Sequence, residues 1–247
     1  MEQVSDEEEE DTCPCDDPLI EPLRILLEPL LRRARDGLLT HADAVELANG
    51  QLGERELAQH VLRCSDCFGH ISFLQHSATL SRGIYQGQVS YFLFTKEWLD
   101  ALALLLRSRG RTRVLEVAAG SGVLAAPMRH RGLSWLATDP HSASTALLGT
   151  EPPEACDALT ALARHGDAVD AIFYSWWPRD DAGDAALAAE CAARGLPIIY
   201  VGEPAGGMTG SAVLWEQWPG MRPLAELTLP CWPGLRDCTW VVDQQLL

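Results

Sequence analysis

Val114-Leu115-Glu116-Val117-Ala118-Ala119-Gly120-Ser121-Gly122 is the stretch on which the fold turns. It reads as a buried strand ending in an acid, then a tight turn of small residues, then a helix start. Glycine tolerates positive φ and close approach, so such a turn lets the backbone come near a nucleotide-like ligand. Gly120-Ser121-Gly122-Val123-Leu124-Ala125 also fits the G-x-G-x-x-G/A dinucleotide pattern. Glu116 shifts the balance away from it. A carboxylate just ahead of the turn repels a pyrophosphate, whereas a phosphate-free sulfonium cation tolerates or favours it.

With that acid and turn, the segment resembles the first motif of the class I S-adenosylmethionine-dependent methyltransferases, an acidic residue followed by G-x-G-x-G. Ala118 stands where that motif has its first glycine. The resemblance extends downstream. Val123 to His130 reads as a short helix, and Leu133 to Asp139 as a second strand ending in an acid. In the family, a carboxylate at the place of Asp139 accepts both ribose hydroxyls, which suits a bidentate acceptor. Glu154-Ala155-Cys156-Asp157-Ala158 reads as a short third strand crowded by Pro152 and Pro153, with Asp157 at the adenine-facing position. Val169 to Tyr174 is a fourth strand, Asp181 to Arg194 a helix, and Leu196 to Val201 a fifth strand. Runs near Leu224–Leu229 and Thr239–Val242 bring the count to seven.

The expected fold is therefore α/β. It is a seven-stranded, mainly parallel Rossmann-like methyltransferase sheet with helices on both faces, preceded by a small helical N-terminal region. Residues 1–17 read as an acidic disordered tail, 18–85 as a helical region with a possible zinc site, and 86–247 as the methyltransferase-like domain. Within the helical part, Leu19, Leu23, Leu26, Leu27, Leu30 and Leu31 form an apolar stripe. Thr95 reads as an N-cap ahead of Trp98, Leu99, Leu102, Leu105 and Leu106. Tyr85, Gln88 and Tyr91 lie where the family's leading helices help close the substrate pocket.

The resemblance implies S-adenosylmethionine as cofactor, held by Glu116, Ala118, Gly120, Gly122, Asp139, Asp157 and Ser175. Residues after the fourth strand line the acceptor pocket in the family, which here means Trp176, Trp177 and Pro178, with Glu203 at the end of the fifth strand. The Asn/Asp-Pro-Pro-aromatic string of many amino-group methyltransferases is absent, so an adenine- or glutamine-directed reaction loses support. Two tryptophans instead offer an apolar or cation–π wall. No acid–base pair is evident, and in-line methyl transfer does not require one. The acceptor, small molecule or protein, stays open. The alternative is a catalytically silent methyltransferase-fold protein serving as a protein-binding or scaffold module.

His60-x-x-x-Cys64-x-x-Cys67 has metal-ligand spacing. Residues 46–75 resemble the anti-sigma-factor type of zinc finger, which carries H-x3-C-x2-C on its second helix. That resemblance implies a structural zinc at His60, Cys64 and Cys67, with Cys13, Cys15, His41 or His70 open as the fourth ligand. The competing reading leaves Cys64 and Cys67 as reduced, unmetallated residues of a helical cap.

The formal charge of −16 is unevenly spread. Ten of the 35 acidic residues fall in residues 1–21, which carry no Lys or Arg, leaving 25 acids against 19 bases elsewhere. A moderately acidic body with an acidic tail disfavours a nucleic-acid surface, while the tail or the zinc region suits a protein partner. Nothing approaches a run of 18 apolar residues, and the start lacks a basic, apolar signal, so a membrane span and secretion are not expected. A cytoplasmic location is expected, with a nuclear one left open.

Overall fold

The computed structural model describes residues 20–50, 77–142 and 151–242. The expected zinc ligands His60, Cys64 and Cys67, and Cys13, Cys15 and His70, lie outside them. Eight helices and six strands are formed among the described residues. They are α1 (Ile20–Arg35), α2 (His41–Ala48), α3 (Ser77–Gln88), α4 (Lys96–Ser108), β1 (Arg113–Glu116), α5 (Ala125–His130), β2 (Ser134–Ala137), α6 (Ala158–His165), β3 (Ala171–Ser175), α7 (Gly183–Arg194), β4 (Ile198–Gly202), α8 (Ala212–Gln217), β5 (Arg222–Pro223) and β6 (Cys238–Val241).

The strands form one sheet in the order β2-β1-β3-β4-β6-β5. β1 pairs in parallel with both β2 and β3, and β3 with β4, whereas β6 runs antiparallel to β4 and β5. Among the described residues the sheet has six strands, against the seven expected. The expected third strand contributes a single parallel bridge, Thr138 to Glu154, beyond β2. Pro152 and Pro153 directly precede it and offer no N–H for a longer ladder. The run at Leu224–Leu229 is not a strand either: β5 covers only Arg222–Pro223, and turns and a bend follow at 225–227.

Alternation along the central strands divides the interior in two. Ala171 and Phe173 of β3, with Ile199 and Val201 of β4, join one core, together with Leu23, Leu27, Leu47, Trp98 and Leu102 from α1, α2 and α4. Ile172, Tyr174, Ile198 and Tyr200 join the other, with residues of α6, α7 and α8 such as Leu162, Leu187 and Leu214. Strands apolar on both faces belong in a sheet covered by helices on both sides. The N-terminal helices therefore share a core with the sheet, and α3 runs unbroken through positions 85 and 86.

Local signals explain how that cover is placed. The Thr95 side chain accepts from the Trp98 N–H, as its N-cap reading predicts. Trp98, Leu99, Leu102 and Leu106 are buried, and the Trp98 indole donates to Thr239 Oγ1 of β6 at 2.9 Å. In α1, Leu23, Leu27 and Leu31 are fully buried, but Leu26 is 36% exposed, so the buried stripe is narrower than the sequence suggests. Among the described residues, no helix is long and apolar enough to cross a membrane.

Candidate functional site

Sequence order along the sheet reverses between β1 and β3, since β2 lies to one side of β1 and the later strands to the other. Parallel sheets open a crevice at the carboxyl ends of the strands at such a point. A cavity of about 800 Å³ lies there. Its lining contains Glu116 at the end of β1, Ala118 and Gly120 after it, Asp139 after β2, Asp157 before α6, and Ser175, Trp176, Trp177 and Pro178 at and beyond the end of β3. The volume lies in the upper part of the usual range for small-ligand sites, roughly 300–1,000 Å³.

The turn after β1 is pinned on several sides. The Ala119 N–H donates to the Thr138 carbonyl at 3.0 Å, and the Gly120 N–H to Asp139 Oδ2 at 2.8 Å. The other Asp139 oxygen accepts from the His141 N–H at 2.7 Å, so backbone donors from two loops hold this carboxylate at the cavity wall. Gly120 and Gly122 have φ of +57° and +69°. A Cβ on Gly122 would also come within 2.8 Å of Pro153 Cγ, so space and backbone both demand glycine there. Ala118 has φ +50°, the left-handed region where the family's motif carries glycine.

Glu116 reaches the cavity with only 2% of its surface exposed. Burial pushes its carboxyl up to about 8, the Trp135 indole N–H opposes that rise, and the charge of Asp139 adds to it. Asp157 is exposed and caps α6, accepting from the Thr160 N–H at 3.0 Å and the Thr160 hydroxyl at 2.7 Å. Those bonds hold its carboxyl below the usual range.

Trp176 has φ +53°, an unusual conformation for a bulky side chain. Its ring stacks on Tyr91, with centroids 5.6 Å apart and planes at 19°, and its indole N–H donates to Asp237 Oδ1 at 3.1 Å. Burial, with the Glu203 charge, pushes Asp237 up to about 7. Trp177 is nearly buried, and its N–H donates to the Asp181 carbonyl at 3.0 Å. Ser121 Oγ donates to the Val89 carbonyl at 3.1 Å, tying the turn to the segment between α3 and α4.

Glu203 is not among the residues lining the cavity. It is buried, and its carboxylate accepts backbone N–H groups from Met208 at 2.8 Å and Arg236 at 3.2 Å, which orders the loop after β4. Of the three suggested lid residues, only Tyr91 lines the cavity. Tyr85 is fully buried, edge-on to Trp232, and Gln86 rather than Gln88 faces the cavity. Sequence reading also passed over Trp135, Asp181 and Asp237. Trp135 carried one usable signal, since it alternates with Leu136 along a strand whose neighbour ends in Glu116.

Among the described residues, no group of three or more His, Cys, Asp or Glu side chains is placed to hold a metal ion. Cys231 and Cys238 are free thiols, and Cys231 Sγ donates to the Asp237 carbonyl at 3.4 Å. No protein-family model matches this chain, and a search of curated proteins finds no significant relative.

Proposed function

We propose that this protein is a class I S-adenosylmethionine-dependent methyltransferase. The observation that carries the reading is that Glu116, the Ala118–Ser121 turn and Asp139 line one cavity at the point where strand order reverses. If the Thr138–Glu154 bridge is counted as a vestigial edge strand, the parallel strands follow the doubly wound order of nucleotide-binding sheets. On this reading the fold is Rossmann-like, with its third strand reduced to one paired residue.

The donor set fits the cofactor. Asp139 offers a held carboxylate to a ribose diol, Asp157 stands at the adenine end, and Glu116 lies where positive charge on a ligand would be offset. The described lining includes no lysine or arginine, so a dinucleotide's pyrophosphate would meet carboxylates without countercharge. Bound there, S-adenosylmethionine supplies a methyl group carried on positively charged sulfur. The chain's part is to orient it through Asp139 and Asp157 and, through Tyr91, Phe92 and Trp176, to exclude water.

A silent binding module is the second reading. It is favoured by Ala118, which lines the cavity at a strained φ of +50° where the family has glycine. Calorimetry with S-adenosylmethionine, S-adenosylhomocysteine and NAD, on the wild type and Glu116→Ala, decides between them. Micromolar binding of the first two, weakened in the variant, supports the enzyme. A folded protein that binds neither moves it to the silent reading, and preference for NAD overturns the cofactor assignment. A structural zinc on His60, Cys64 and Cys67 belongs to the same proposal, as a folding element apart from the cavity's chemistry.

A further inference from the structure

The end of the cavity formed by Tyr91, Trp176, Trp177 and Asp181 makes no polar contact in the cofactor assignment above, where Tyr91 and Trp176 serve only to exclude water. Two independent properties bear on its ligand, the charge of the whole cavity lining and the shape of that end. Every Asp, Glu, Lys or Arg among the described lining residues is acidic, namely Glu116, Asp139, Asp157 and Asp181. A carboxylate or phosphate entering here would lose water and gain no countercharge. An ammonium group would find carboxylate acceptors instead.

The aromatic wall supplies the second property. Tyr91 is 59% exposed, so its ring remains accessible while it stacks on Trp176. The Arg82 guanidinium carbon lies 5.8 Å from the Trp176 ring centre, which shows this indole already holding a cation. Arg82 is not among the lining residues, and Asp237 offsets its charge. Trp176 keeps a costly left-handed backbone, anchored by its bond to Asp237, so the ring's orientation is imposed by its surroundings. Strain of this kind concentrates where geometry serves a ligand.

We propose that the second ligand of this cavity is a small organic amine with a flat aromatic body, stacked on the Tyr91–Trp176 wall with its nitrogen drawn to Asp181. This rests on the methyltransferase reading in one respect: the amine would be the methyl acceptor. Binding favours the ammonium form, and only the fraction that has released its proton to water carries the lone pair an acceptor needs.

The test uses the full chain and two probes of one shape and opposite charge, tryptamine and indole-3-propionate, titrated by calorimetry with and without S-adenosylhomocysteine. Tryptamine is expected to bind at least tenfold more tightly. Asp181→Asn keeps an oxygen for the Gly183 N–H and should cut that ratio at least threefold, while Tyr91→Ala weakens both probes. Equal affinities, a preference for the acid, no binding of either probe, or an unchanged ratio in Asp181→Asn overturns the proposal. The S-adenosylhomocysteine titration separates the two readings. Amine preference without S-adenosylhomocysteine binding leaves the amine site standing and removes the methyltransferase. S-adenosylhomocysteine binding without amine preference does the reverse.

Discussion

The Trp135 indole N–H donates to Glu116 Oε2 at 2.6 Å in the buried interior. Trp135 pairs across the sheet with Val114, so its ring reaches two residues along the same face of β1 to the strand's last side chain. The bond ties the last side chain of β1 to the first half of β2, the strand that leads to Asp139. Trp135→Phe keeps most of the ring volume and removes the donor. An orphaned buried acceptor costs about 1–3 kcal/mol, so urea unfolding of this variant should show a loss in that range. A change below about 0.5 kcal/mol would mean that the bond does not fasten the site.

Glu116 makes stability depend on pH in an unusual direction. Its folded value of about 8 lies above its ordinary 4.5, so the folded protein holds a proton that the unfolded chain releases in between. Its contribution is present below about 4.5 and is lost as pH rises towards about 8. Glu116→Gln removes the titration and still accepts from Trp135. Between pH 5 and pH 8 the wild type should lose stability relative to this variant, by an amount on the order of a few kcal/mol. Parallel urea midpoints for both proteins across that range would dismiss the linkage.

The same titration reaches ligand binding. A cation entering the cavity favours ionised Glu116, so binding of S-adenosylmethionine should release protons and tighten as pH rises from 6 to 8. Calorimetry in two buffers of different ionisation heat reads the protons directly. Equal heats in both buffers, or an unchanged profile in Glu116→Gln, would count against it.

Asp139 is the residue on which nucleoside binding should depend most. Asp139→Ala is expected to weaken S-adenosylmethionine at least tenfold, but it also removes the carboxylate that accepts from the N–H groups of Gly120 and His141. Asp139→Asn keeps one acceptor oxygen and separates the two effects. Unchanged affinity in a folded Asn variant would remove the ribose assignment.

At position 118 backbone and side chain disagree. With φ at +50°, Ala118→Gly relieves strain while loosening the unfolded chain, and the two effects offset to within about 0.5 kcal/mol. Ala118→Val adds a β-branch in the same region and should cost about 1–3 kcal/mol. Thermal melts of both variants check the order, and equal melting temperatures would contradict it.

For His60, Cys64 and Cys67, the expected result is about one zinc per purified chain, largely lost in Cys64→Ser. Atomic absorption on the wild type and the variant reads it. Metal-free, fully folded wild type sinks the zinc proposal.

The α/β class and the placement of most elements were legible in the chain because they rest on local chemistry. Apolar runs at 171–174 and 198–201, and one at 114–117 broken only by Glu116, mark buried strands, Thr95 caps α4, and Gly120 and Gly122 sit at positive φ. Glu116, Asp139 and Asp157, which the resemblance assigns to one ligand, all line the cavity, Asp157 from the cap of α6 rather than from the strand expected there. Long-range geometry decided the rest. Glu203 reads like a rim carboxylate in sequence, yet the Met208 N–H of the loop after β4 takes one oxygen and the Arg236 N–H ahead of β6 takes the other. Trp135 and Asp237 hold Glu116 and Trp176 from 19 and 61 residues away, pairings that no spacing rule announces. Glu154 shows the limit from the other side: its neighbouring prolines were visible, but only the packed sheet determines that one bridge survives of a strand. Periodicity and turn chemistry act over a few residues and can be read in order along the chain. Which side chain satisfies a buried carboxylate depends on elements that meet only after the sheet has closed.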